Sequence, residues 1–161
     1  MFSDRRGYTL MEVMAALAIT VAVSILITVS YRSFQSRIVL NAASEEVESV
    51  LREAQSASMS VRDNQEHGVF FDIAAEEYVF FAGSAYTPGA PGNVVHELPS
   101  GVVFTTLTIA DDVDYVLFQK LTGSTDQTGT VELQTSGSSR VVTYQVVISS
   151  AGRISLQEVS S

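Results

Sequence analysis

Three small groups of residues are of a type that could carry chemistry. His67 and His96 are the only histidines, and imidazole serves as proton carrier or metal ligand. Neither has a second histidine at helical or strand spacing, and a metal site needs several convergent ligands, so both are expected to be exposed polar residues. Asp111, Asp112 and Asp114 form the densest acidic group. Calcium takes oxygen donors of this kind, but the EF-hand spacing is missing and no late glutamate completes it. A solvated turn is the expectation. Serines are plentiful, yet none lies in a G-x-S-x-G context, and the glycine-rich stretches lack the lysine of a phosphate loop. Cysteine is absent, which removes disulfides, zinc thiolates and cysteine nucleophiles together. The residues assemble no catalytic constellation, so no enzyme activity, cofactor or metal is expected.

Glu12 is the third group. It is the only charge in "YTLMEVMAALAITVAVSILITV", Tyr8 to Val29, a run without Gly or Pro. That is about the length a helix needs to cross roughly 30 Å of hydrocarbon. A cleaved secretory signal has a shorter apolar region, and the one imitation of its cleavage site, Ala22-Val23-Ser24, falls inside the run. Arg5 and Arg6 precede the run while Arg32 and Arg37 follow it, so the distribution of basic residues does not decide orientation. A carboxylate at the centre of a spanning helix costs about 2.5–3.5 kcal/mol, less towards an end, and calls for a partner. The residues one turn away, Tyr8, Thr9, Ala15 and Ala16, supply no cation. A free α-amino group would serve, being cationic near neutral pH, and a cut after Gly7 would create one on Tyr8.

The short basic leader, Gly7, the aromatic Tyr8, "TLMEV" from Thr9 to Val13 and the unbroken apolar run resemble the type III signal of the type IV pilin and pseudopilin superfamily. The resemblance implies that a membrane prepilin peptidase cuts after Gly7 on the cytoplasmic side and methylates the new terminus at Tyr8. It also implies that Glu12 is the assembly carboxylate, paired with the terminal amine of a neighbouring subunit. Tyr8 departs slightly from the phenylalanine commonest there. Loops of some pseudopilins hold calcium, which would fall to Asp111, Asp112 and Asp114 here, against the spacing argument above.

Around these residues the chain reads as one membrane-anchored element and one compact domain, within 161 residues. No Gly or Pro appears between the apolar run and Gly68. Val39, Ala43, Val47, Val50, Ala54, Ala57 and Val61 follow one another at steps of three or four and share one helical face, with Glu45, Glu46, Arg52 and Glu53 away from it. So much alanine would give a coiled coil a weak core, but lets a sheet approach closely. "GVFFDI" and "EYVFFAG" read as a hairpin, "YTPGAPGN" as loop and "GVVFTTLTI" as strand. "TVELQT", "VVTYQVVIS" and "GRISLQE" follow with clean alternation, Val131 and Leu133 on one face, then Val142, Tyr144, Val146 and Ile148, then Ile154 and Leu156. Turns are expected at Gly137-Ser138-Ser139 and Ser150-Ala151-Gly152. The predicted fold is α+β, a long N-terminal helix packed on a mostly antiparallel sheet. Its predicted parts are a leader at 1–7, a membrane and filament-core helix at 8–30, an amphipathic continuation at 31–67 and a β-sheet domain at 68–161.

The later pattern, carried by Phe118, Gly123, Gly129, Val131, Leu133, Gly152, Arg153 and Ile154, is similar to the minor pseudopilin H and FimT group. The resemblance implies a minor subunit of a type II secretion pseudopilus or a type IV pilus. Its implied partners are the prepilin peptidase, other pilins or pseudopilins, the inner-membrane assembly platform and the membrane itself. Its place would be the bacterial cytoplasmic membrane, with the C-terminal domain outside the cytoplasm, and then the filament. The alternative is a minor pilin at a filament tip, whose loop Tyr86–Asn93 and segment Thr122–Gly129 contact a secreted protein, a surface or DNA. A net charge of −9 with scattered basic residues argues against nucleic acid.

Overall fold

The computed structural model describes residues 9–136 and 142–159, and the side chains of residues 26–33 lie outside the description. The expected turn at Gly137-Ser138-Ser139 falls outside the described residues. The chain divides after Gln35 into two compact units.

The helix α1, Leu10–Met59, contains neither glycine nor proline. Thr9 caps it: its Oγ1 accepts the Glu12 N–H at 3.2 Å, and its carbonyl accepts the N–H groups of Glu12 and Val13, which satisfies donors that every helix start leaves open. At the other end Val61 stands in the left-handed region, φ 53°, a conformation that stops a helix and is uncommon for a branched residue. The amphipathic pattern read to residue 67 therefore breaks at Met59. A 3₁₀ turn, Arg62–Asn64, leads on, and His67 belongs to the first strand.

In the second unit α1 buries Ala43, Val47, Val50, Ala54 and Ala57, as the spacing predicts, and also Leu40 and Leu51, both fully buried. Glu45, Glu46, Arg52 and Glu53 are exposed. Ser44 shares the buried face because its hydroxyl donates to the Leu40 carbonyl at 2.8 Å within the helix, so it brings no unpaired group inside.

Two four-stranded antiparallel sheets complete this unit, where one sheet was expected. The first has the order β3-β2-β1-β5, with β1 His67–Asp72, β2 Glu77–Ala82, β3 Val94–Glu97 and β5 Tyr115–Phe118. The second has the order β4-β6-β7-β8, with β4 Val102–Ile109, β6 Gly129–Thr135, β7 Thr143–Ile148 and β8 Ile154–Val159. Val69, Phe71, Tyr78, Val116 and Phe118 of the first sheet and Phe104, Val131, Leu133, Val146, Ile148 and Ile154 of the second join Leu40, Val47 and Leu51 in one core. Edge-to-face contacts of Phe104 with Phe71 and Tyr78 knit the sheets together.

Two polar links fix the layers. Gln55 of α1 donates through Nε2 to the carbonyls of Gly123, at 2.9 Å, and Gly152, at 2.8 Å. Glu76, left-handed at φ 57° in the β1–β2 turn, accepts the Leu98 N–H on its carbonyl and the Phe104 N–H on Oε2 at 2.8 Å. The second bond falls beside an irregularity between Phe104 and Thr106 in the β4–β6 register, where a strand N–H loses its ladder partner.

Candidate assembly surface and polar clusters

Of the residues expected to direct processing and assembly, Gly7 and Tyr8 lie outside the described residues. Glu12 sits three positions after the capping Thr9, in the first turn of α1. That is the T-x-x-E spacing of a capping box, and a carboxylate there faces the positive end of the helix dipole, which is worth about 0.3–1 kcal/mol. The helix start thus accounts for part of what makes an acid tolerable in this run.

Around Glu12 the helix is apolar and uncovered. Leu10 and Met11 are each 82% exposed, and Val13, Met14, Leu17, Ile19, Val21, Val23 and Ile25 are exposed as well. Glu12, Val13, Ala16, Leu17 and Thr20 line a shallow groove along one side. The hydroxyls nearby are turned inward: Thr20 donates to the Ala16 carbonyl and Ser24 to the Thr20 carbonyl, each at 2.8 Å. Among the described residues no cation pairs with Glu12. Contiguous exposed apolar surface of this kind is, in general, a mark of protein or membrane interaction sites. Among the described residues no helix is long and apolar enough to cross a membrane.

The histidines differ from expectation. His67 is buried, not exposed: its backbone N–H donates to Ser58 Oγ at 2.8 Å, the Ser58 hydroxyl donates to the His67 carbonyl at 3.3 Å, and the His67 ring Nδ1 has no hydrogen-bond partner. Burial pushes the imidazole pKa below its usual 6.5, and Arg62 adds to the shift while Asp63 and a backbone contact with Gln65 oppose it. The hydrophobic strand that follows His67 pulled it inside. His96 is half-buried, stacked on Tyr78 at 5.1 Å between ring centroids, with Nδ1 3.7 Å from Glu46 Oε1. Burial raises the Tyr78 phenol pKa far above its usual value, helped by the charge and hydrogen bonding of Glu46. This cluster ties β2 and β3 to α1.

Asp111 and Asp112 lie on an exposed 3₁₀ turn, Ala110–Asp112, and the exposed Asp114 offers its backbone carbonyl to the Phe71 N–H at 2.7 Å. Among the described residues no three metal-ligating side chains converge. In the loop from Tyr86, the Tyr86 ring lies flat on Phe70 at 4.0 Å while residues 87–89 are exposed. The segment from Thr122 is held more tightly, with Ser124 bonded to Gln119 and Thr122, and Thr125 buried.

No protein-family model matches the chain, and no curated protein matches it. A solved structure does: the minor pseudopilin EpsH from the type 2 secretion system of Vibrio cholerae, at 12% identity, aligns over 74% of this chain and 96% of that one with a TM-score of 0.52. The fold is pilin-like. The likeness rests on the architecture of an N-terminal helix against antiparallel sheets, since at this identity few side chains correspond.

Proposed function

We propose that the protein is a prepilin-like minor subunit of a type II secretion pseudopilus or a type IV pilus. The observation that carries this reading is the uncovered apolar helix with Glu12 in its first turn, ahead of a domain folded like a minor pseudopilin. In this reading the chain is held in the bacterial cytoplasmic membrane with its C-terminal domain outside the cytoplasm. A prepilin peptidase cuts between Gly7 and Tyr8 and methylates the new amine, and the assembly platform passes the subunit to other pilins or pseudopilins.

The mechanism needs no catalysis by this chain. Apolar helix surface drives bundling, and Glu12 sets axial register by meeting a neighbour's terminal amine, because a slipped subunit would leave the charge unpaired. The test is intact mass and N-terminal sequencing after expression with a prepilin peptidase. A terminus at methylated Tyr8 supports the reading, and an intact Met1 where a known prepilin is cut overturns it.

A further inference from the structure

The first sheet has β3 at one edge, and this edge exposes apolar side chains. Val94 and Val95 are 49% and 56% exposed, and because consecutive strand residues point to opposite faces, each face of the edge carries an uncovered valine. Among the described residues the backbone of 94–97 makes no hydrogen bond other than its pairing with β2. Natural edges are blunted by shortness, charge, proline, a bulge or a cover; β3 is short and carries one charge, Glu97, but no lysine, proline or bulge.

The register of the sheet adds a charge. Asp72 of β1 stands opposite Glu77 of β2, and Glu77 opposite Glu97 of β3, a row of three carboxylates across one face. Like charges directly opposite destabilise a sheet. Asp72 spends one oxygen on the N–H groups of Ala74 and Ala75, and among the described residues no cation forms an ion pair with any of the three. The next row on that face is apolar, Phe70, Val79 and Val95.

We propose that β3 is a docking edge for an extended segment of another polypeptide, added as a further antiparallel strand and bearing a basic residue opposite Glu97. The register fixes the rest of the segment. Two places beyond the basic residue an apolar side chain meets Val95, and the next, on the other face, meets Val94; the intervening residue lies opposite His96. The recognised pattern is basic, any, apolar, apolar, with backbone hydrogen bonds giving affinity and alternate side chains giving selectivity. A second copy of this chain is the poorer occupant. Two β3 strands paired about their centre place Glu97 opposite Val94 and bring together two chains of net charge −9 with no cation at the join. This inference is independent of the filament role.

The test uses the full chain in detergent micelles and two labelled ten-residue peptides that differ at one position, with Lys-Thr-Val-Val or Glu-Thr-Val-Val at their centres. The lysine peptide is expected to bind about tenfold tighter, the sum of one favourable and one unfavourable cross-strand charge pair. Glu97→Lys should reverse the order, and Val95→Lys should weaken both peptides, with thermal unfolding of each variant confirming that the domain stays folded. Equal binding of the two peptides, an unchanged order in Glu97→Lys, undiminished binding in Val95→Lys, or self-association through β3 without peptide binding would each overturn the proposal.

Discussion

The side-chain amide of Gln55 reaches the carbonyl of Gly152 at 2.8 Å, across 97 residues of sequence. Gly152 is left-handed at φ 76°, and a Cβ placed there would collide with the Gly123 carbonyl and with Gln55 Nε2. Gly152→Ala is therefore expected to cost about 2–4 kcal/mol through backbone strain and displacement of the bonded amide. Gln55→Leu should cost less, about 1–3 kcal/mol, by stranding two carbonyls. Urea unfolding in micelles followed by circular dichroism checks both, and an alanine at 152 as stable as the parent would contradict the packing described.

Glu76 combines a left-handed backbone with a carboxylate that accepts the Phe104 N–H. Glu76→Ala loses the acceptor and keeps the strain, whereas Glu76→Gly loses the acceptor and relieves the strain. The glycine variant should be the more stable of the two by about 1 kcal/mol. Glu76→Gln, which retains an oxygen at the same reach, should lie closest to the parent. A different order in a denaturation series would assign the role of Glu76 elsewhere.

His67 gives the domain a pH dependence with a definite sign. Its folded pKa is lowered by burial, so below about 6.5 the unfolded chain binds a proton that the folded chain resists. The contribution is fully present above the unfolded pKa and is lost as pH falls from there through the folded value. Melting temperatures of the parent and of His67→Gln between pH 7.5 and 5 should show a flatter slope for the variant. Parallel curves would mean that His67 does not titrate differently on folding.

Glu12→Ala tests register apart from folding. The Thr9 cap bonds the backbone N–H of residue 12, so it survives the substitution, and the helix loses only about 0.3–1 kcal/mol of dipole interaction. Under the proposed role, the variant should insert and fold but be absent from sheared filaments, and Glu12→Gln should be strongly depleted. Gly7→Val should accumulate uncleaved. Normal filament incorporation of Glu12→Ala would remove the register role.

Periodicity made much of this architecture legible. The helical stripe through Ala43, Val47 and Ala54 and the alternation of Val131 and Leu133 mark faces that are buried. Strands β3 and β5 escaped because each is only four residues long, too short for alternation to separate them from loop. Two sheets read as one because strand pattern says which face is buried but nothing of which strands pair. His67 looked like a surface residue since its burial depends on Phe80 and on Ser58, nine positions away across the helix end. Glu12 was conspicuous for the opposite reason: a lone charge in an apolar run needs no tertiary information to be noticed.

Thr9 is the residue on which the start of α1 depends, and it lies downstream of the Gly7–Tyr8 bond. Under the proposed processing, the cut chain keeps its own cap, so precursor and mature subunit would begin their helix at the same turn. What the peptidase changes is then only what stands ahead of the cap: the leader departs with Arg5 and Arg6, and a subunit already shaped in the bilayer could become competent to join its neighbours the moment its terminal positive charge is brought to Tyr8.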